Sequence, residues 1–294
     1  MKNKIVKTYP SKILLFGEYS VIDNSNALAI PFDKFYGSWE FNENVDNEIF
    51  SPYLGYLKKI NWNNFDVKFD IEKLKKDISK GLFFKSNIPE GYGAGSSGAL
   101  SAAIYDKYFK YKPKDINSTK RNLAQIEGYF HGTSSGIDPL VSFLNKGVLV
   151  KNTKDIEILE IGKNYLENYD LYLLDSKKPR ETKHFVDIYN KQIKSEEFLK
   201  SDLNYLIDIN NNLIDSFLKN DEVDMFDFYK EISKFQIKYF EKMILPEIFP
   251  VWKNSIESKE FAIKLCGAGG GGFYLILNKK DNELDILNFE ITKI

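Results

Sequence analysis

Pro89-Glu90-Gly91-Tyr92-Gly93-Ala94-Gly95-Ser96-Ser97-Gly98-Ala99-Leu100 places four glycines within eight residues and runs directly into an apolar helical pattern. Glycine loses more backbone freedom on folding than any other residue, so such a cluster needs a local reason. A bare loop opening a helix aims several N–H donors, and the positive end of the helix dipole, at one point. The stretch therefore reads as an anion-binding loop followed by a helix over Ser97–Phe109, with serines at its start able to cap the first turn. Far down the chain, Gly267-Ala268-Gly269-Gly270-Gly271-Gly272 lies between the apolar runs Phe261–Cys266 and Phe273–Leu277, which read as strands. A glycine run between strands also serves where two backbones approach closely.

The surrounding composition narrows the options. The chain has 294 residues, long for one core and sufficient for two domains. With 43% hydrophobic and 15% aromatic residues it can bury a large interior. The formal net charge is −1 and lysines alternate with acids, so a nucleic-acid partner is not expected. Cys266 is the only cysteine and His131 and His184 the only histidines, which excludes an intrachain disulfide and argues against a thiolate or multi-histidine metal cage. Any metal should be a hard, oxygen-bound ion such as Mg²⁺. Ile13–Phe16 is too short an apolar run for a signal segment or a membrane span, so a cytoplasmic protein without membrane association is expected.

Strands are predicted at Lys12–Gly17, Ala27–Ile30, Phe35–Phe41, Phe65–Phe69, Val148–Val150 and Leu171–Leu174. Residues 43–64, rich in Asn, Asp and Tyr, give no clear period. A helix is predicted over Asn117–His131, ended by Gly132, with Leu123, Ile126 and Phe130 as its buried stripe. From Ser195 onward the texture changes to long amphipathic helices. One carries Leu203 to Leu218 and a second carries Val223 to Met243, stopped by Pro246 and Pro250. Leu284–Ile291 reads as a closing strand. The charged stretch near 155–170 places the domain boundary at 165/166, giving domains 1–165 and 166–294 in an α+β protein.

Three phosphate chemistries compete for the first loop. A Walker A loop needs Lys and Ser/Thr after its last glycine, and the chain has no such sequence. The dinucleotide fingerprint occurs as Gly93/Gly95/Gly98 and as Gly267/Gly269/Gly272, but neither copy sits between an adjacent strand and a helix. The third fits. Pro89-x-x-x-Gly93-x-Gly95-Ser96-Ser97-Gly98-Ala99 resembles the phosphate loop of the GHMP kinases, the superfamily of galactokinase, homoserine kinase, mevalonate kinase and phosphomevalonate kinase. Ser11-Lys12-Ile13-Leu14-Leu15-Phe16-Gly17-Glu18-Tyr19-Ser20-Val21 is similar to its N-terminal motif, and Lys264-Leu265-Cys266-Gly267-Ala268-Gly269-Gly270-Gly271-Gly272 to its C-terminal one. Within the superfamily, the segments Glu127–Asp138 and Lys177-Lys178-Pro179-Arg180-Glu181-Thr182 resemble mevalonate kinases. Two departures stand out: Ser11 where the family motif commonly has Gly, and Tyr19, a residue phosphomevalonate kinases often carry there, where mevalonate kinases commonly have His.

The resemblance implies an N-terminal domain like domain 2 of ribosomal protein S5, a ferredoxin-like C-terminal domain with long helices, and an ATP- and Mg²⁺-dependent small-molecule kinase. Its acceptor would be an alcohol, with mevalonate favoured and phosphomevalonate, a sugar or an amino alcohol as alternatives; a non-catalytic binding module is the reading from another class. By resemblance, Gly93, Ala94, Gly95, Ser96, Ser97 and Gly98 would cradle the triphosphate, with Ser97 and Glu127 as Mg²⁺ ligands. Ser96 is expected to act chiefly as a helix cap. Asp138 would face the acceptor hydroxyl, either taking its proton or orienting it, and Lys12 would pair with Asp138 and attract the γ-phosphate. Glu18, Tyr19, Arg180 and Thr182 are candidate substrate-side residues. Gly267, Gly269 and Gly270 are expected beside the phosphates in a structural role, and Cys266 as a small buried residue. A homodimer is left open.

Overall fold

The computed structural model describes residues 6–44, 50–152, 155–162, 165–180, 182–195, 198–284, 286 and 289–294; Glu181 of the Lys177–Thr182 segment lies outside them. In chain order the strands and helices are β1 (Thr8–Phe16), β2 (Ala27–Phe41), α1 (Phe50–Lys59), β3 (Lys68–Phe69), α2 (Ile71–Ile78), β4 (Leu82–Ser86), α3 (Ser96–Tyr108), β5 (Phe109–Lys110), α4 (Ile116–His131), α5 (Ile137–Leu144), β6 (Gly147–Lys151), β7 (Asp155–Leu159), β8 (Tyr169–Asp175), α6 (Thr182–Gln192), α7 (Lys200–Lys219), α8 (Glu222–Tyr239), α9 (Phe249–Glu257), β9 (Phe261–Leu265), β10 (Phe273–Lys279) and β11 (Glu290–Lys293). The first sheet has the order β1-β2-β6-β7, with β4 pairing antiparallel to β2. The architecture is α+β, as expected.

The chain forms two compact units, one of residues 1–12, 30–89 and 94–148, the other of 13–29, 90–93 and 149–294. This partition differs from a single cut at 165/166, because the chain passes from one unit to the other inside β1, β2 and the first glycine stretch.

In the first unit α3 is central. Ala99, Ala102, Ala103, Ile104 and Tyr105 are completely buried, so the helix is covered on every side by α2, α4 and α5. Alanine suits this place because it forms helix well and lets neighbours approach closely. Asp115 caps α4 by accepting from the Ser118 N–H at 2.7 Å, and Gly132 ends it at φ 75°. Leu123 and Ile126 are buried as predicted, but Phe130 is 39% exposed and packs edge-on against Tyr53 and Tyr129. α5 escaped the sequence reading because Ser134-Ser135-Gly136-Ile137-Asp138-Pro139 looks like a loop. Proline is tolerated in a first helical turn, where its missing N–H has no intrahelical partner. Phe65–Phe69, predicted as a strand, is a short 3₁₀ turn followed by β3, whose Phe69 stacks on Phe109 across the pairing. Ala27–Ile30 and Phe35–Phe41 belong to one strand, since the extended backbone continues through Pro31.

The second unit holds the antiparallel sheet β11-β8-β10-β9. Numbered by chain order within the unit, its strands read 4-1-3-2, the ferredoxin-like order, although among the described residues no helix joins β10 to β11. α8 packs on β9 and on α7. Tyr229 donates to the Leu275 carbonyl at 2.8 Å, and Gln236 accepts from the Leu265 N–H at 2.9 Å. The predicted second long helix ends earlier, at Tyr239. Pro250 lies in the first turn of α9 and does not stop a helix, while Val223 is 74% exposed and contributes nothing to the buried stripe. The closing strand begins at Glu290, later than predicted.

Between β1 and β9, the Lys264 ammonium bonds the Glu18 carboxylate and also donates to the Leu265 carbonyl at 2.9 Å. Their side chains are 1% and 3% exposed. Removing one member of a buried pair strands the other charge, at a cost of about 3–5 kcal/mol. Lys264→Met should lower stability by that order, and adding Glu18→Gln should recover much of it; urea unfolding of both variants measures the difference.

Candidate active site

Every residue of the site's first group belongs to the first unit, and the helix geometry brings them together. Gly95 precedes α3 in the left-handed conformation at φ 77°, and Gly136 precedes α5 in the same conformation at φ 76°. Neither residue has a side chain to cap the following N–H groups. The predicted serine cap of α3 is therefore absent: Ser96 and Ser97 are the first two helical residues and do not precede the helix. At Gly98 the two helices meet, since an added Cβ would stand 2.9 Å from the Asp138 carbonyl carbon and 3.0 Å from the Pro139 nitrogen. Two positive helix ends thus share one small volume.

β1 delivers Lys12 to the same place. Its backbone N–H donates to the Ala94 carbonyl at 2.9 Å, and its ammonium lies 2.9 Å from Asp138 Oδ1. Gly95 lies against both residues, a built Cβ standing 3.3 Å from Lys12 Cβ and 3.8 Å from Asp138 Cβ. Ser11, the departure from the family's glycine, is fully buried and donates to the Phe32 carbonyl at 2.9 Å, which satisfies its hydroxyl within the sheet.

α4 supplies Glu127, which is 4% exposed. Ser97 Oγ donates to its Oε1 at 3.1 Å, and the Ser134 hydroxyl donates to its Oε2. Ser134 in turn accepts from the Gly136 N–H at 2.9 Å, tying the start of α5 to this carboxyl group. Burial, and then the nearby Asp138 charge, raise the Glu127 pKa to about 7 against the lowering effect of the serines and Lys12. One turn further along α4, His131 Nε2 is 3.0 Å from Ser97 Oγ. His131 and Ser134 had no assigned role in the sequence reading. The signal for His131 was there, four residues after Glu127 and so on the same helix face.

The donor chemistry fits a hard cation. Ser97 Oγ and Glu127 Oε1 are oxygens separated by the spacing of adjacent ligands in a six-coordinate Mg²⁺ shell, about 3 Å. A buried carboxyl group with a raised pKa also lacks a compensating positive charge. Among the described residues no group of three or more His, Cys, Asp or Glu could hold a metal. Phosphate oxygens and water would have to complete the shell.

The second group belongs to the second unit. The Arg180 guanidinium donates to the Cys266 carbonyl at 2.6 Å, and its backbone N–H bonds the Gly91 carbonyl at 2.8 Å. It lies on two glycines, since a Cβ at Gly93 would fall 1.6 Å from Nη2 and one at Gly267 2.5 Å from it. Gly269 faces the Met243 carbonyl, Gly270 the Phe185 ring, Gly271 the Lys178 and Pro179 carbonyls, and Gly272 the Tyr92 backbone. Close packing therefore accounts for this glycine run locally. Tyr19 is 5% exposed, stacks on Tyr189 and gives its hydroxyl to the Ala268 carbonyl. Glu18 is committed to Lys264. Cys266 is buried, as expected, with its thiol directed at the Leu14 carbonyl. Thr182 opens α6 and is exposed.

Residues 57–147 match the family model of the GHMP kinases N terminal domain. The fold is that of solved GHMP kinases. The Methanococcus jannaschii mevalonate kinase structure matches with a TM-score of 0.66 at 18% identity, covering 100% of this chain and 98% of that one. Streptococcus pneumoniae phosphomevalonate kinase, solved with phosphomevalonate and AMPPNP, matches with a TM-score of 0.67 at 14% identity, covering 99% and 100%. The family-model match and the curated relatives support an ATP-dependent small-molecule kinase of the GHMP type. In sequence the chain resembles the mevalonate kinases in particular. It is 25% identical to that of Dictyostelium discoideum over 99% of this chain and 92% of that protein. Among the described residues no helix is long and apolar enough to cross a membrane.

Because Glu127 holds its proton more tightly in the folded than in the unfolded state, its contribution to stability is present at low pH and is lost as pH rises through about 7. In metal-free buffer, wild-type stability should fall relative to Glu127→Gln between about pH 5 and pH 8, on the order of 1–3 kcal/mol. Urea unfolding of both proteins across that range checks the sign.

Proposed function

We propose that this protein transfers the γ-phosphate of ATP to the primary hydroxyl of mevalonate in a Mg²⁺-dependent reaction. The observation that carries the proposal is the 2.9 Å contact of Lys12 with Asp138 beside the glycine loop, next to the Ser97–Glu127 pair. Phosphoryl transfer asks a protein chiefly for positioning and for charge set against the phosphates. The N–H groups opening α3 have no side-chain cap, and with Gly95 they would hold phosphate oxygens. Asp138 would orient the acceptor hydroxyl through the carboxylate oxygen that Lys12 leaves open, and Lys12 would accompany the negative charge as it moves to the γ-phosphate. Ser97 and Glu127 would hold Mg²⁺, which when bound neutralises charge on the phosphates.

Phosphomevalonate is the second reading, motivated by Tyr19. The surroundings favour mevalonate. Tyr19 is committed to the Ala268 carbonyl, and a second substrate phosphate calls for additional cations. Lys177 pairs with Asp175 and Glu290, Lys178 pairs with Glu247, and Arg180 donates to Cys266. A non-catalytic module would have little reason to retain Lys12, Ser97, Glu127 and Asp138 in one cluster.

A panel of mevalonate, phosphomevalonate, homoserine and simple sugars with MgATP tests the substrate, and mevalonate should turn over fastest. Turnover of only another member would remove mevalonate as the acceptor, while nucleotide binding without transfer to any alcohol would favour the binding module. Asp138→Asn should lower kcat by on the order of 10²–10⁴ while ATP still binds, as measured by calorimetry.

A further inference from the structure

We infer that His131 is a positioning residue that takes the Ser97 hydroxyl proton as a hydrogen bond, so that Ser97 and Glu127 can serve the same cation. The inference rests on the nucleotide site proposed above and goes beyond it. Ser97 Oγ stands between two partners, Glu127 Oε1 at 3.1 Å and His131 Nε2 at 3.0 Å. A hydroxyl has one proton to give and two lone pairs to share. While no cation is held, the carboxylate is the stronger acceptor and takes that proton. If both oxygens faced a cation, each would give it a lone pair, and the Ser97 O–H would be turned away from the ion and so from the neighbouring Glu127 Oε1.

The proton then needs another acceptor, and the imidazole Nε2 lies within bonding distance. This requires the tautomer protonated on Nδ1, with Nε2 free to accept. No proton changes owner; the Ser97 O–H rotates from one acceptor to the other. α4 sets both acceptors at once, since Glu127 and His131 are separated by four residues on one face. Next to Ser97, Gly98 presses the first turn of α3 against the Asp138 backbone. Outer partners that orient metal-binding side chains are commonly worth 10–100-fold in metal affinity.

The test compares His131→Leu, which removes the acceptor, with His131→Gln, which returns one. Calorimetry with a non-hydrolysable ATP analogue is run with Mg²⁺ and with EDTA, alongside thermal unfolding. In the wild type, Mg²⁺ should tighten nucleotide binding. His131→Leu should lose about 10–100-fold of that Mg²⁺-dependent gain, with unchanged affinity in EDTA and an unchanged melting temperature. His131→Gln should recover most of the loss. Wild-type-like Mg²⁺ dependence in His131→Leu overturns the inference and leaves the nucleotide site standing. Equal weakening with and without Mg²⁺, or a lowered melting temperature, makes His131 merely structural and also overturns it. A wild type indifferent to Mg²⁺ removes the cation site itself, and the inference with it.

Discussion

At Gly98 the first turn of α3 is pressed against the backbone of Asp138 and Pro139 in the first turn of α5, with no room for a side chain between them. Helix ends of like polarity repel, so this crossing is unfavourable unless negative charge is placed nearby. Asp138 supplies some of that charge from α5, and Lys12 adds positive charge that offsets it. Beside them Glu127 is buried with too little compensation, which is why its pKa is raised. The region therefore holds a surplus of N–H donors in one part and a carboxyl group short of a cation in another. Under the proposed function a phosphate group would answer the first and a hard cation the second. The backbone contact that restricts position 98 to glycine keeps the first turns of the two helices together.

Glycines serve a different end in the second unit. Gly267–Gly272 makes way for Arg180, Phe185, Tyr92 and the Lys178–Pro179 backbone, each close enough to exclude a Cβ. The buried Glu18–Lys264 pair fixes the adjoining ends of β1 and β9. The three motif segments represented there, Ile13–Val21, Glu90–Gly93 and Lys264–Gly272, are bound to one another by ion pair, hydrogen bond and close packing. Glu18, Tyr19 and Arg180 resemble family motif residues, and each has a structural employment within the unit.

Much of this was readable from the sequence because period and composition act locally. α3, α4 and the strands flanking the second glycine run follow from apolar spacing and from Gly132 as a stop. Other elements were hidden by conflicting local signals. α5 begins with Ser, Gly and Pro, which read as loop. α1 lies in an Asn- and Tyr-rich stretch whose helix is held by Tyr53 and Tyr56 hydroxyls bonded to α4 carbonyls, a tertiary contact no window can contain. In the site, Lys12 and Asp138 were nominated through motif resemblance, and only three dimensions bring them within bonding distance. Lys264 was quoted as part of a motif but given no partner, because an ion pair spanning 246 positions leaves no periodic trace. The glycine run is the case where the reading as a close backbone approach is met directly, by packing within its own unit.

The disposition of Asp138 bears on what it can do for an acceptor alcohol. One carboxylate oxygen, Oδ1, is engaged by Lys12, and the side chain is 34% exposed; under the proposed function its other oxygen would receive the acceptor hydroxyl. A hydroxyl bound there would direct its proton at Asp138 and its lone pairs away from it. Attack along such a line needs the oxygen to be aimed more than it needs the proton removed early, because a loose transition state places little bonding demand on the nucleophile. The proton can follow as the new P–O bond forms and the alcohol oxygen becomes more acidic. In the proposed reaction Lys12, already at the carboxylate, would swing its ammonium toward the transferring group to accompany the charge. A lysine suits this better than an arginine: its three donors sit on a compact, rotatable head, whereas a guanidinium fork would lock onto the carboxylate through two bonds and hold it there.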